Sequence, residues 1–213
     1  NLILNNKIDL PVLEFAFQGP LLKLKGEAVG ICITGNVIFD IIRRDQTVEK
    51  GLCYQVNKIN NDDQIDIKST KESLYGYLAI KGGPSVEKVW NSYSINTKAK
   101  LGPNNGEKFS LNQKIIVNNS KGENLKIRKL KYEINTSKII RVIKGTNFDF
   151  FSKKAQENFF KKKFKITNLI DRMGIRLSGP HLENRISSNI KSEGLIKGVI
   201  QVPADGNPII MLA

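Results

Sequence analysis

With 213 residues, of which 40% are hydrophobic, the chain is long enough to bury a substantial core and too apolar to be disordered. Its formal charge of +14 raises a polyanion or an anionic membrane as partner. Against both, only seven of the 34 basic residues are Arg, Lys, Asn and Ile are abundant together, and the longest basic run, Lys161-Lys162-Lys163, falls where a helix should end and cations oppose its dipole. No nucleic acid is therefore expected, and with no apolar run of the roughly 18 residues that a transmembrane helix needs, no membrane span either. The chain lacks an initiating Met and stops in a strand-like run, so it is read as a fragment of a longer protein.

Residues 10–60 read as short strands punctuated by glycine, at 12–17, 21–24, 28–34 and 37–42. In the first, Leu13, Phe15 and Phe17 share one face, as in a half-buried strand. Gln18-Gly19-Pro20 and Thr34-Gly35-Asn36 are turn chemistry. The polar segment 57–71 reads as a loop or a weak edge hairpin. A strand at 75–80 ends in Lys81-Gly82-Gly83-Pro84, where a bend with positive φ is expected. Residues 91–107 are the least regular part, and long irregular segments inside compact domains are often functional.

Asn118-Asn119-Ser120-Lys121-Gly122 is the best internal boundary, dividing the chain into 1–118 and 119–213. Beyond it, apolar and basic residues alternate through 125–134 with one phase slip, and 139–143 continues as a strand. The helix is the 152–163 segment: Phe151, Ala155 and Phe159 recur at helical spacing, Phe160 and Phe164 widen the stripe into a core face, and Ser152 is placed to cap it. The sum is a mostly β chain with one or two short helices. Cys32 and Cys53, in apolar surroundings and without a C-x-x-C unit, read as buried free thiols of a reducing compartment, hence a cytoplasmic protein.

Missing chemistry narrows the function. His181 is the only histidine, so no His-rich metal site is expected, and its place after Gly179-Pro180 reads as a surface or hydrogen-bonded turn. There is no G-x-x-x-x-G-K-[ST] loop, so no cofactor-binding residues are identified and any nucleotide must be handled elsewhere. What remains is carboxylate and guanidinium chemistry. Arg141, Asp171, Arg172 and Arg176 fall near strand ends, where Arg forks bind carboxylates bidentately. The competing reading is an internal Asp171–Arg176 ion pair that pins a loop. Ser192, Glu193 and Gln201 could present polar groups to a small substrate.

Taken together, Leu13-Glu14 with Gly19-Pro20, Ile33-Thr34-Gly35, the 77–83 run through Lys81-Gly82-Gly83, Arg141-Val142-Ile143 with Gly145, and the stretches 171–180 and 192–208 resemble the biotin-dependent carboxyltransferase-like family. That family includes the C subunit of 5-oxoprolinase, allophanate hydrolase subunit 2, the Kip antagonist and the matching half of urea carboxylase. The resemblance runs over nearly all of the chain. It implies a cyclophilin-like β-barrel architecture and, as leading function, the C subunit of an ATP-dependent 5-oxoprolinase. Such a protein hydrolyses the lactam of 5-oxoproline to glutamate with partners of the B- and A-subunit types, ATP entering through the complex.

The same resemblance implies anion binding by Arg141 and Arg172, orientation or proton transfer by Asp171, substrate hydrogen bonding by Gln201, and further substrate contacts from Ser92, Ser94, Arg176 and Ser192. The alternatives are carboxyl transfer from a biotin carrier to urea or another small amide, and a regulatory binding protein of the Kip antagonist type. Two stretches depart from the family pattern. Asn91-Ser92-Tyr93-Ser94-Ile95 stands where the family reads Gly-Ser-Arg-Ser-Thr, and Gly102-Pro103-Asn104-Asn105-Gly106-Glu107 where it reads Gly-Gly-x-x-Gly-Arg. Both remove an arginine.

Overall fold

The structure is a computed structural model that describes residues 1–71, 73–118, 128–132, 139–186 and 193–212. It divides into two compact units, Asn1–Asn135 and Thr136–Ala213. The described chain is mostly β, with three antiparallel four-stranded sheets and one α-helix.

The first unit contains β1 (Leu13–Ala16), β2 (Leu21–Lys23), β3 (Val29–Thr34), β4 (Val37–Ile42), β5 (Val48–Lys50), β6 (Asn57–Ile59), β7 (Gln64–Thr70) and β8 (Tyr75–Ile80). Its two sheets run β1-β8-β3-β6 and β2-β7-β4-β5. The expected Thr34-Gly35-Asn36 turn carries the chain from one sheet to the other. Phe15, Ile31, Ile33, Leu78, Ile80 and Ile59 of the first sheet meet Phe39, Ile41, Ile65 and Ile67 of the second in one core, so the sheets close over each other in barrel-like fashion. On the other face of β3 and β8, Cys32 and Ala79 pack with Val56 and with Leu4 of the N-terminal Leu2–Leu4 turn. Both faces of these strands are covered, which explains their unbroken apolar sequence. Both cysteines are free, and burial pushes the Cys32 thiol up to about 11 and raises that of Cys53.

Segment 57–71 is not a loop or an edge hairpin. It forms β6 and β7, and β7 lies between β2 and β4. Ile65 and Ile67 supply the inward face, while Lys68 on the other face pairs with Asp40 of β4 at 2.5 Å. The 60–63 turn is held by Asp63, whose side chain is 3% exposed. Its carboxylate accepts hydrogen bonds from the Asn60 N–H at 2.9 Å, the Arg44 N–H at 3.1 Å and Arg43 Nη1 at 2.7 Å. The same guanidinium forks onto Glu49 at 2.9 and 2.6 Å, joining the β4–β5 turn to the β6–β7 turn.

After β8 the expected bend occurs, with φ of 82° at Gly82 and 74° at Gly83. A side chain at Gly82 would lie 2.3 Å from the carbonyl oxygen of Asn118. Backbone hydrogen bonds from Ser85 to Ile116 (2.8 Å) and from Asn118 to Gly83 (3.0 Å) close the base of an excursion over 86–115 that contains no named strand. The expected boundary segment after Asn118 and most of the alternating 125–134 run lie outside the described residues. Of that run, 128–132 lies along 54–56, with Tyr132 stacked on Tyr54 at 4.4 Å.

The second unit contains α1 (Lys153–Lys161), β9 (Lys165–Ile170), β10 (Gly174–Ser178), β11 (Ile200–Gln201) and β12 (Ile209–Met211), with sheet order β11-β12-β10-β9. Ser152 caps α1, its hydroxyl accepting from the Ala155 N–H at 3.1 Å. The aromatic stripe is less buried than a core face: Phe159 contacts Phe160 and Phe164, yet Phe160 is 56% exposed. Residues 139–143 are not a strand. An apolar run becomes one only where a ladder and a covering layer receive it, and Ile140 and Ile143 are exposed.

Candidate functional site

The site is built on the sheet of the second unit. In the antiparallel register Arg176 of β10 lies opposite Ile209 of β12, which lies opposite Gln201 of β11. Directly opposed residues share a face, so Arg176 and Gln201 stand on one face, two inter-strand spacings or roughly 10 Å apart. On the other side of β10 the register with β9 shifts between Ile175 and Leu177. Ile175 pairs with Ile170 and Leu177 with Ile166, so three residues of β9 face the single residue Arg176. Such bulges bend a strand away from its partner and recur beside active sites.

The bulge is locked by Thr167. Its hydroxyl donates to the Arg176 carbonyl at 3.0 Å and accepts from the Leu169 N–H at 3.2 Å. Beside it opens a groove of about 110 Å³ lined by Thr167, Leu169, Arg176, Leu177, Asp205, Asn207 and Ile209.

The β11–β12 loop contributes Asp205 and Asn207. The Asn207 N–H donates to Asp205 Oδ1 at 3.0 Å, a side-chain turn that fixes both residues. Gly206, between them, has φ of 71°, and a side chain there would strike the His181 ring at 2.2 Å. The ring's Nδ1 lies 3.1 Å from the Asp205 carbonyl, so His181 is the hydrogen-bonded turn histidine that its sequence context suggests. The residues that line the groove thus include one arginine, one aspartate and one asparagine beside Leu169, Leu177 and Ile209. Among the described residues Arg176 forms no ion pair, so its fork is available to an outside acceptor.

Asp171 sits at the β9–β10 turn. Its Oδ1 accepts from the Met173 N–H at 2.8 Å and the Gly174 N–H at 3.1 Å, which shapes the hairpin that exposes Arg172 at its tip. Neither residue lines the groove, and the ion pairs among the described residues do not include Asp171 with Arg176. Arg141 is exposed on the non-strand 139–143 segment.

Ser92 and Ser94 belong to the first unit, where the Ser92 hydroxyl accepts from the Ser94 N–H at 3.1 Å. Ser192 lies outside the described residues. The structure therefore brings Arg176 and Gln201 to one face and does not bring Asp171, Arg172 or Arg141 into the groove. Thr167, Asp205 and Asn207 are not among the candidate site residues read from the sequence, although Asp205 and Asn207 fall in the 192–208 stretch that carries the resemblance; their place beside Arg176 depends on pairing between distant strands. Among the described residues no three His, Cys, Asp or Glu side chains form a metal cluster, and no helix is long and apolar enough to cross a membrane.

The family model described as carboxyltransferase domain, subdomain A and B, matches residues 1–213. The C subunit of 5-oxoprolinase from Haemophilus influenzae is 26% identical over 218 residues, covering 100% of this chain and 67% of that protein. The corresponding 5-oxoprolinase protein of Escherichia coli is 27% identical over 149 residues, covering 70% of this chain and 48% of that protein. Urea amidolyase of Saccharomyces cerevisiae is 26% identical over 84% of this chain and 10% of its own length. Among solved structures, urea amidolyase of Kluyveromyces lactis superposes with a TM-score of 0.76 at 20% identity, over 99% of this chain and 14% of that one.

Proposed function

The chain belongs to the carboxyltransferase domain, subdomain A and B, family, and on that premise we propose that it is part of the C subunit of an ATP-dependent 5-oxoprolinase that opens a small lactam together with partner subunits. The observation that carries the reading is the groove of about 110 Å³ beside the β9 bulge, whose lining includes Arg176, which forms no ion pair among the described residues, and Asp205. In this reading 5-oxoproline, a ring that bears a carboxylate, a lactam N–H and a lactam carbonyl, presents the carboxylate to Arg176 as a charge-assisted fork. Asp205 accepts from the lactam N–H, and the side-chain amide of Asn207 donates to the lactam carbonyl as negative charge develops on its oxygen, with Gln201, on the same face but outside the groove's lining, as a further donor from β11. The half-buried Leu177 and Ile209 meet the ring's apolar edge.

The sequence has no glycine-rich phosphate loop, so the partner subunits, of the B and A types, hold ATP, whose role is to activate the amide. The cytoplasm is the expected compartment. The test is ATP-dependent formation of glutamate from 5-oxoproline by the full-length protein with its partner subunits. No glutamate above the level of the partners alone overturns the reading.

A second reading rests on the sequence similarity to urea amidolyase. There the groove receives urea or another small amide, which takes a carboxyl group from a biotin carrier. Carboxylation of urea by a carboxylated biotinyl carrier, with no turnover of 5-oxoproline, selects it over the first.

A further inference from the structure

The excursion over 86–115 carries a feature that the groove does not use. Val89 and Ser92 exchange reciprocal backbone hydrogen bonds of 3.0 Å each, with Trp90 and Asn91 as the two-residue turn between them. Both turn residues are left-handed, with φ of 50° at Trp90 and 59° at Asn91. That is the pattern of a type I′ hairpin, whose first central position favours Asn, Asp or Gly because a bulky side chain is strained there. The indole is 81% exposed, so no interior packing offsets the strain. Trp90 is also the only tryptophan in the chain.

The hairpin is followed by local contacts. Tyr93 lies under the Lys88 ammonium at 5.0 Å, and the next loop is closed by hydrogen bonds between Asn96 and Leu101. A strained, exposed and preorganised aromatic at the end of a short hairpin serves contact rather than folding. The excursion carries a net positive charge, with Lys88, Lys98, Lys100, Lys108 and Lys114 against Glu87 and Glu107, Lys88 lying 4.0 Å from Asp9 and Lys100 4.0 Å from Glu107. It also leaves Leu111 92% exposed.

We infer that the Trp90 hairpin is the docking element for a partner protein of the complex, inserting its indole into an apolar pocket rimmed by carboxylates. The inference rests on the proposed function in one respect, that the partner is taken to be the B-type protein of the same complex. The net positive charge of the excursion steers the approach of the acidic rim, and burial of the indole supplies the holding contact.

The test uses the full-length chain labelled with fluorotryptophan and, for a probe, the B-type partner. The fluorine signal of Trp90, assigned by its loss in Trp90→Asn, is accessible to quencher in the free chain and becomes protected on adding the partner. Trp90→Asn, which places a residue at ease in the left-handed region, keeps or raises the melting temperature while weakening partner binding by roughly 30-fold or more. Added salt slows association of the wild type.

Wild-type affinity in Trp90→Asn overturns the inference and leaves the 5-oxoprolinase reading standing. So does a fall in its melting temperature, which makes the indole structural, or protection of Trp90 in the free chain or by ATP alone. A wild type that neither binds the partner nor yields glutamate overturns both.

Discussion

The two units use β-structure for opposite ends. The first buries ten side chains between two sheets, with Ile33 and Ile59 fully enclosed and Asp63 wired into both turns at one end. In the second, Ala155 and Leu182 are the buried apolar side chains among the described residues apart from the enclosed Pro208, while Ile166, Leu169 and Ile196 face outward. A β-sheet with a closed core can tolerate a strained excursion such as the Trp90 hairpin, because the strain is small beside the burial that holds its base. A sheet with a thin interior can present polar groups along one face, because few of its positions are committed to packing. Rigidity in the second unit is local instead: a bulge locked by one hydroxyl, a turn locked by one carboxylate, and a glycine against a histidine ring.

The largest effect that sharpens this contrast is a core truncation. Phe39 is 1% exposed at the centre of the first unit's core, and Phe39→Ala is expected to cost about 4 kcal/mol, from lost burial and the cavity left behind. Leu169→Ala, on the exposed face of β9, is expected to change stability by about 0.5 kcal/mol or less. Urea denaturation of the two variants checks the pair, and equal losses would remove the distinction between the units.

Next in size is the Asp63 network. Burial pushes this carboxyl up, but the hydrogen bonds from the Asn60 N–H, the Arg43 guanidinium and the Arg44 N–H outweigh it and hold it below its ordinary value of 3.8. Glu49 is likewise held down, chiefly by its hydrogen bonds from Arg43. A depressed carboxyl binds fewer protons folded than unfolded, so its contribution is complete above the unfolded value and is lost as pH falls through the folded one. Stability of the first unit should therefore decline as pH drops below 3.8. Asp63→Ala leaves a partly buried guanidinium and two N–H groups without their acceptor, at a cost of about 3 kcal/mol near neutral pH. Its acid limb should also be shallower than that of the wild type. Melting curves from pH 2 to 7, a range of about five units around the carboxyl region, decide it; parallel acid limbs would mean that Asp63 is not the group that titrates.

How much of this is legible in the sequence depends on whether the cause is local. β3, β4 and β8 are readable because an apolar run bounded by Gly35 or by Gly82-Gly83 states both the strand and its end. The Ser152 cap is readable because donor and acceptor are three residues apart. β7 is not, since Gln64-Ile65-Asp66-Ile67-Lys68-Ser69-Thr70 looks polar until Lys68 meets Asp40 and both strand edges find partners far along the chain. Segment 139–143 fails the other way, its apolar residues promising a strand that its surroundings do not receive. Arg176 and Gln201 stand out as residue types, but what unites them is Ile209 between two ladders. Asp171 stands out for its charge, whereas its carboxylate shapes the turn next to it.

The smallest expected effect on stability is also the sharpest probe of the second unit. Arg176 is exposed, and its guanidinium makes no ion pair among the described residues, so Arg176→Gln should alter unfolding by about 0.5 kcal/mol or less. If the fork binds the substrate carboxylate, the same change removes two charge-assisted hydrogen bonds and should lower kcat/KM for 5-oxoproline about 100-fold, mostly through KM. Arg176→Lys keeps the charge but not the planar fork, so it should recover only part of the loss. Full recovery by lysine would mean that the groove reads charge alone. A loss of stability as large as that of Phe39→Ala would place Arg176 in the framework of the unit, and the division between a packed first unit and a presenting second unit would no longer hold.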